Sequence, residues 1–451
     1  MSQADETSPM DRRMALAHEW DTLVEEVRER GFTDFLSPPS LETLLPAAAG
    51  GPIAVINLSV WRCDALIVRT AGVRTVELQD LTLEQAVERV GFYLDTLAEA
   101  EGAAYAYQLA VQATGPDPSR AAIHARSRAA AALIKSRQRT DDMLRSLQEW
   151  LWDSIAAPVL SELKLNHVPP PGAVWPRLWW CPTGPLGMLP LHTAGYHHES
   201  DGDSPRTVID RVVSSYTPTL RALLEARTNR RGNEPPIGRL SASEQIDERE
   251  GELEQDRLLI VALEDLPGQV RLRGATEERD ALIRLVPQER RTLLDADEAT
   301  WANVHRELPK HRWVHFSCHG GQDLRQPSSG GLLLHDRVLS VADISARRFA
   351  GDFAGLAACK TATGGISLVD EAISLSAALH YTGYRHVVAA LWSIDDETSA
   401  KVFNAVYEDI VVDGALRPDG AAQALHTIVR ALRTEDPHRP SLWTPFTHTG
   451  P

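Results

Sequence analysis

In the second half of the chain, short apolar runs alternate with stretches whose apolar residues recur every three or four positions. The runs cover 258–263, 292–294, 313–318, 353–358 and 386–392, and helices are expected over 276–285, 299–308 and 367–381 and onward from Glu397 and Ala421. Continuous apolar strands separated by amphipathic helices imply a mainly parallel sheet covered on both faces. A hairpin is expected around 332–338. The first half has a different rhythm. A helix is predicted over 10–31, then strands over 53–60, 63–68 and 73–78, punctuated by Gly50-Gly51-Pro52 and Ala71-Gly72 as in a β-meander. Helical spacing returns over 82–165, broken only at Gly115-Pro116-Asp117-Pro118-Ser119, which predicts two long antiparallel helices. After Pro169-Pro170-Pro171-Gly172, strands are expected at 177–182 and 212–216 and a helix at 219–226, before a stretch rich in charge, Gly, Pro and Ser. The expected divisions are 1–49, an N-terminal helical extension; 50–226, a first half with a helical hairpin; 227–256, a linker; and 257–451, a second α/β half.

Two of the apolar runs end in chemistry. Trp313-Val314-His315-Phe316-Ser317-Cys318 leads into His319-Gly320-Gly321, and Gly355-Leu356-Ala357-Ala358 leads into Cys359-Lys360-Thr361. A parallel strand delivers such residues to its carboxyl edge, where open α/β sheets bind ligands. A Cys at one strand end and a His at another, 40 residues earlier, suit a thiol nucleophile and its base. The thiolate is the reactive form, and a neighbouring imidazole favours it. Gly320 and Gly321 let the chain turn tightly, so that the N–H groups of Gly320 and Cys359 are expected to form an oxyanion hole. Strand alternation sends Cys318 to the face opposite His319, as a packed thiol, and argues against a zinc site built from His315, Cys318 and His319.

The order of these motifs resembles the CHAT domains of the caspase-like peptidase group, which includes separases, gingipains and metacaspases. The match runs through the strand ending in His319-Gly320, Gly331-Leu332-Leu333-Leu334-His335-Asp336, Ala357-Ala358-Cys359-Lys360-Thr361, Asp370-Glu371, 387–392, Asp395-Asp396 with Thr398, and Trp443 with Phe446. Upstream, 35–39 and 51–59 resemble the start of the long CHAT version. The resemblance implies a caspase-like α/β fold whose first half is a degenerate, non-catalytic partner. It also implies a cysteine endopeptidase with His319 and Cys359 as dyad, acting on a protein in a bacterial immunity or regulated cell-death pathway; a catalytically silent CHAT scaffold or protein-interaction module is the alternative reading. Caspases proper carry Gln-Ala-Cys-x-Gly, and relatives cutting after basic residues often carry Asp two positions before the Cys; here Ala357 stands at that position. An apolar substrate pocket walled by Trp392 and Leu391 is therefore expected, although core packing explains Trp392 equally well. Asp370 and Glu371 either line the cleft or cap the following helix; Asp395 and Asp396 read first as helix caps.

Composition narrows the classes further. The chain has 451 residues, with 46 basic and 62 acidic ones for a net charge of −16, which argues against a nucleic-acid or anionic-membrane surface as main partner. Four cysteines, Cys63, Cys181, Cys318 and Cys359, are too few and scattered for a disulfide framework and point to a reducing cytoplasm. The polar, acidic N-terminus lacks the apolar core of a signal or transit peptide, and no apolar run has membrane-spanning length. His192, His197 and His198 fit no metal spacing, no cofactor or metal is called for, and no helical repeat appears, so control is expected from a separate sensor or activator.

Overall fold

The computed structural model describes residues 9–31, 36–37, 39–115, 119–198, 204–228, 257–267, 269, 271–321, 326–358 and 374–451. The chain separates into two units, Met1–Pro46 and Ala47–Pro451. The first contains the helix Pro9–Glu29, on which Met14, Leu16, Trp20 and Leu23 are exposed.

The second unit is built on one sheet of eleven strands. Its first-half strands are β1 (Ile53–Asn57), β2 (Asp64–Arg69), β3 (Gly72–Glu77), β4 (Arg177–Pro182) and β5 (Val213–Tyr216). The meander β1-β2-β3 is antiparallel, as its turn residues predict, and β1 then pairs in parallel with β4 and β4 with β5. In the second half, β6 (Leu258–Ala262), β7 (Arg291–Asp295) and β8 (Trp313–Ser317) precede a small antiparallel sheet of β9 (Gly320–Gly321), β10 (Gly331–Leu333) and β11 (Val338–Ser340). The main sheet resumes with β12 (Phe353–Ala357) and β13 (His386–Ala390); a two-stranded ribbon, β14 (Val411–Val412) and β15 (Ala415–Leu416), precedes the last strand, β16 (Phe446–Thr449). The main-sheet order is β3-β2-β1-β4-β5-β16-β13-β12-β8-β6-β7. The five strands from β13 to β7 are mutually parallel.

β16 joins the halves: it is antiparallel to β13 and meets β5 at Thr449 and Tyr216. The sequence pattern did not predict it. Around it, Trp179 Nε1 donates to the Gly450 carbonyl at 2.7 Å, the hydroxyl of Ser215 lies 2.7 Å from His448 Nδ1, and His448 Nε2 lies 3.1 Å from His386 Nδ1. Across the same seam, Asp210 accepts from Arg433 at 2.8 Å and Arg430 at 3.2 Å.

Both sheet faces are covered, and the alternation of β8 and β12 divides the second-half core. Val314, Phe316, Cys318, Ala354 and Leu356 pack with Leu375 and Leu379 on one face, while Trp313 and Phe353 pack with Phe403, Tyr407 and Trp443 on the other. Each fully buried side chain of this size contributes about 1.5–3 kcal/mol. A third core lies under the first half, where Trp180, Leu178 and Ile56 meet Leu144, Leu147 and Leu151.

The predicted helical hairpin is present as Leu83–Gln112 and Arg120–Leu151, capped by the hydroxyls of Thr82 and Ser119, which accept from Gln85 N and Ala122 N at 3.2 Å. A π-helical turn, Trp152–Ala156, follows; Pro158, which lacks an N–H and crowds the carbonyl four residues back, explains the widening. Residues 229–256, most of the expected linker, lie outside the described residues. No described helix is long and apolar enough to cross a membrane.

Candidate active site

The parallel register of β8 and β12 sets the geometry. Trp313 is paired with Phe353, Val314 with Ala354, His315 with Gly355, Phe316 with Leu356 and Ser317 with Ala357. The two strands therefore end side by side at the carboxyl edge. His319 is two residues past Ser317 and half-buried, and in the sequence Cys359 is two residues past Ala357. Cys359, Asp370 and Glu371 lie outside the described residues.

After β8 the chain enters the small sheet. The Leu333 N–H donates to the His319 carbonyl at 2.8 Å, which makes His319 and Leu333 a hydrogen-bonded pair. In an antiparallel ladder such pairs alternate with non-bonded ones. The next pair is Gly320 with Leu332, so the Gly320 N–H faces away from β10. The tight turn expected of Gly320 and Gly321 is absent: they form β9, and neither has a positive φ. The ladder set up by Gly331 and Leu332 holds this segment extended.

Cys318 is 1% exposed and packs with Val314 and Leu356, as alternation predicts. Cys63 and Cys181 are also buried free thiols, and burial pushes Cys181 up to about 12. Trp392 is 3% exposed and meets Tyr93 edge-on at 5.9 Å, and Leu391 lies in the same core. A cavity of about 40 Å³ at the strand ends is lined by Ser317, Cys318, Ala357 and Ala358, by the apolar Leu272, Leu356, Ala390, Ile394 and Phe403, and by the polar Glu278, Asp396 and Ser399.

Behind this edge lies a buried polar network that the sequence did not reveal. His315, fully buried on β8, has Nε2 3.0 Å from Glu278 Oε2 and Nδ1 3.0 Å from the hydroxyl of Tyr407. Ser399 donates to the other Glu278 oxygen at 3.2 Å. Burial, reinforced by the Glu278 carboxylate, holds the Tyr407 phenol well above its ordinary value. Gly355 makes the space: a Cβ there would stand 2.6 Å from the Tyr407 hydroxyl and 3.0 Å from His315 Nδ1. Asp396, read from sequence as a cap of its own helix, instead accepts from the Gly274 N–H at 2.7 Å, near the N-terminus of the helix Arg273–Leu285. Its pKa is raised, first by burial and then by Glu278 and Asp395.

Of the three histidines weighed as metal ligands, His192 meets the Tyr216 hydroxyl at 2.9 Å, His197 the Thr193 carbonyl at 2.8 Å, and His198 stacks on His438 at 5.2 Å. Among the described residues no group of three or more His, Cys, Asp or Glu is placed to hold a metal ion.

Comparison with solved structures places this fold beside the separase of Saccharomyces cerevisiae in complex with securin. In two crystal structures of that complex the TM-scores are 0.55 and 0.54 at 9% identity, covering 91% of this chain. This chain spans only 30% of the separase chain. The pro- and mature domains of Porphyromonas gingivalis RgpB align with a TM-score of 0.40 at 10% identity, over 67% of this chain and 68% of that one. Comparison with curated protein sequences finds no match. The CHAT domain profile matches residues 145–451, about two thirds of the chain, from the last turns of the second hairpin helix through β4 and the following strands to the last residue, leaving out β1–β3. The chain belongs to the CHAT domain family.

Proposed function

We propose that this protein is a cysteine endopeptidase of the CHAT type, with Cys359 as nucleophile and His319 as general base and acid. The observation that carries the reading is the pairing of Ser317 with Ala357, because each candidate follows a paired strand end by two residues. Neighbouring strands lie about 4.8 Å apart, so equivalent positions past such ends are within side-chain reach. The His319 imidazole takes the thiol proton, and the Cys359 sulfur attacks the carbonyl carbon of the scissile bond. The oxyanion accepts from the N–H groups of Cys359 and Gly320, the latter facing away from its ladder. His319 then donates the proton to the leaving amine. Water, deprotonated by the same imidazole, hydrolyses the thioester and restores the thiol. Neither metal nor organic cofactor enters this sequence.

The substrate of this reading is a specific protein partner in a bacterial immunity or regulated cell-death pathway, with a separate sensor or activator controlling the enzyme in a reducing cytoplasm. Family membership and the buried free thiols Cys63, Cys181 and Cys318 support it. Asp370 and Glu371 remain the proposed substrate-contacting residues, while Trp392, buried against Tyr93, is proposed to back the pocket rather than line it. The test is to co-express wild type or Cys359→Ala with the products of neighbouring genes and map new N-termini by mass spectrometry. A fragment formed by wild type alone is expected; the same fragment with both proteins would overturn the assignment.

A further inference from the structure

Within the second unit, the outer section of the hairpin has no core of its own. Between Ala98 and Ala132 no described residue is buried, although the section carries exposed Tyr105, Leu109, Val111 and Ile123. At 1.5 Å per residue, the fifteen residues from Ala98 to Gln112 make about 22 Å of two-helix arm without a core. Two helices alone bury too little to hold such a length; bundles are completed by further helices.

The charge along the arm indicates what completes it. Residues 102–137 hold five basic residues, Arg120, Arg126, Arg128, Lys135 and Arg137, against one acidic residue, Asp117, for a net +4 in a chain of net −16. The base, 83–101 with 138–151, holds eight acidic residues against three basic ones, for a net −5. On the first helix Glu84, Glu88, Asp95 and Glu99 are all exposed. Apolar groups are exposed at both ends, Val87 and Phe92 at the base and Tyr105, Leu109 and Ile134 further out. An open groove of about 490 Å³, lined by Phe92, Met143, Arg139 and Asp142, lies at the base.

We infer that the arm is a dimerisation element, and that its partner is a second copy of this chain packed antiparallel as a four-helix bundle. A two-fold axis perpendicular to the arm, passing between the copies at the level of Ala98 and Glu99 of the first helix, sets Phe92 opposite the second copy's Tyr105. The same axis brings Arg120 to about the level of the second copy's Glu84, and Arg126 and Arg128 to a level between its Glu88 and Asp95. Each basic outer section then lies on an acidic base twice over, as an isologous interface requires. The grooves receive apolar side chains from the opposite arm. A 30-residue helix is about 45 Å long, so a contact strip about 20 Å wide covers roughly 900 Å² per copy, enough for a stable interface. This inference is independent of the proposed peptidase activity.

Sedimentation velocity on the full chain tests it. Wild type is expected to form a dimer that weakens between 50 and 500 mM salt, since exposed charges are screened. Arg126→Glu with Arg128→Glu, or Glu88→Arg with Asp95→Arg, is expected to raise the dimer Kd at least tenfold, and the fourfold combination to return it to within about threefold of wild type. All four positions are exposed, so the fold is retained, which circular dichroism and the melting temperature check. A chain that stays monomeric at about 100 µM in low salt overturns the inference. So does a dimer indifferent to both charge reversals, a combination that fails to recover, or binding of phosphatidylserine vesicles through the arginines without self-association.

Discussion

Replacing His315 by Phe tests whether the network behind the strand ends is a paired buried charge. In the wild type the His315–Glu278 pair is 0% and 2% exposed, with Tyr407 and Ser399 completing its bonds. The variant leaves the Glu278 carboxylate with Ser399 alone, and an uncompensated buried charge of this kind costs about 3–5 kcal/mol. At about 1–2 °C per kcal/mol for a domain of this size, the melting temperature should fall by roughly 3–10 °C at pH 8. The double variant His315→Phe with Glu278→Leu removes both partners and should recover much of the loss. Scanning calorimetry at pH 8 measures all three proteins. A loss below about 1 °C at pH 8, or a double variant worse than the single one, would refute the reasoning.

Other expectations follow from the same geometry. Burial pushes His192, His197 and His380 down to about 4 and His426 to about 3, and lowers His386 and His448 as well. Because these folded values lie below the unfolded one, the stability they contribute is complete above about pH 6.5 and is lost as pH falls towards 4. A melting temperature unchanged between pH 6.5 and 4.5 would contradict this. Asp210→Asn, which weakens the seam to Arg430 and Arg433, should destabilise by about 2–3 kcal/mol in urea titration at pH 7. Gly383→Ala should fail to fold or melt at least 5 °C lower, because φ is +123° and its Cβ would overlap the Phe349 carbonyl oxygen.

The apolar runs specified the strands closely: 177–182 was predicted and is observed, and β8 and β12 end within one residue of expectation. Strands buried on both faces leave a dense, unambiguous signal. β16 escaped because Phe446-Thr447-His448-Thr449 is short and polar, and its place is set by pairing with β13, about 60 residues away. Glu278 falls in the helix expected over 276–285, and nothing local shows that His315, 37 residues later, meets it in the core. Gly355 read as an ordinary strand residue until the Tyr407 hydroxyl was found against it. Trp392 could be read as pocket wall or core from sequence, and the structure sets it beside Tyr93. The His319 and Cys359 motifs were legible because reactive residues after apolar strands are rare; the register of β8 with β12 adds the reason they are proposed to act together.

Thiol reactivity tests the central claim most directly. Wild type and His319→Ala are treated with a peptidyl electrophile that alkylates thiols, and the rate at each cysteine is read by peptide mass spectrometry from pH 5 to 9. The account predicts that Cys359 reacts at least tenfold faster than Cys63, Cys181 or Cys318, and that His319→Ala removes most of this advantage near neutral pH. Labelling of Cys359 no faster than the buried thiols, or equally fast in the two proteins, would contradict it.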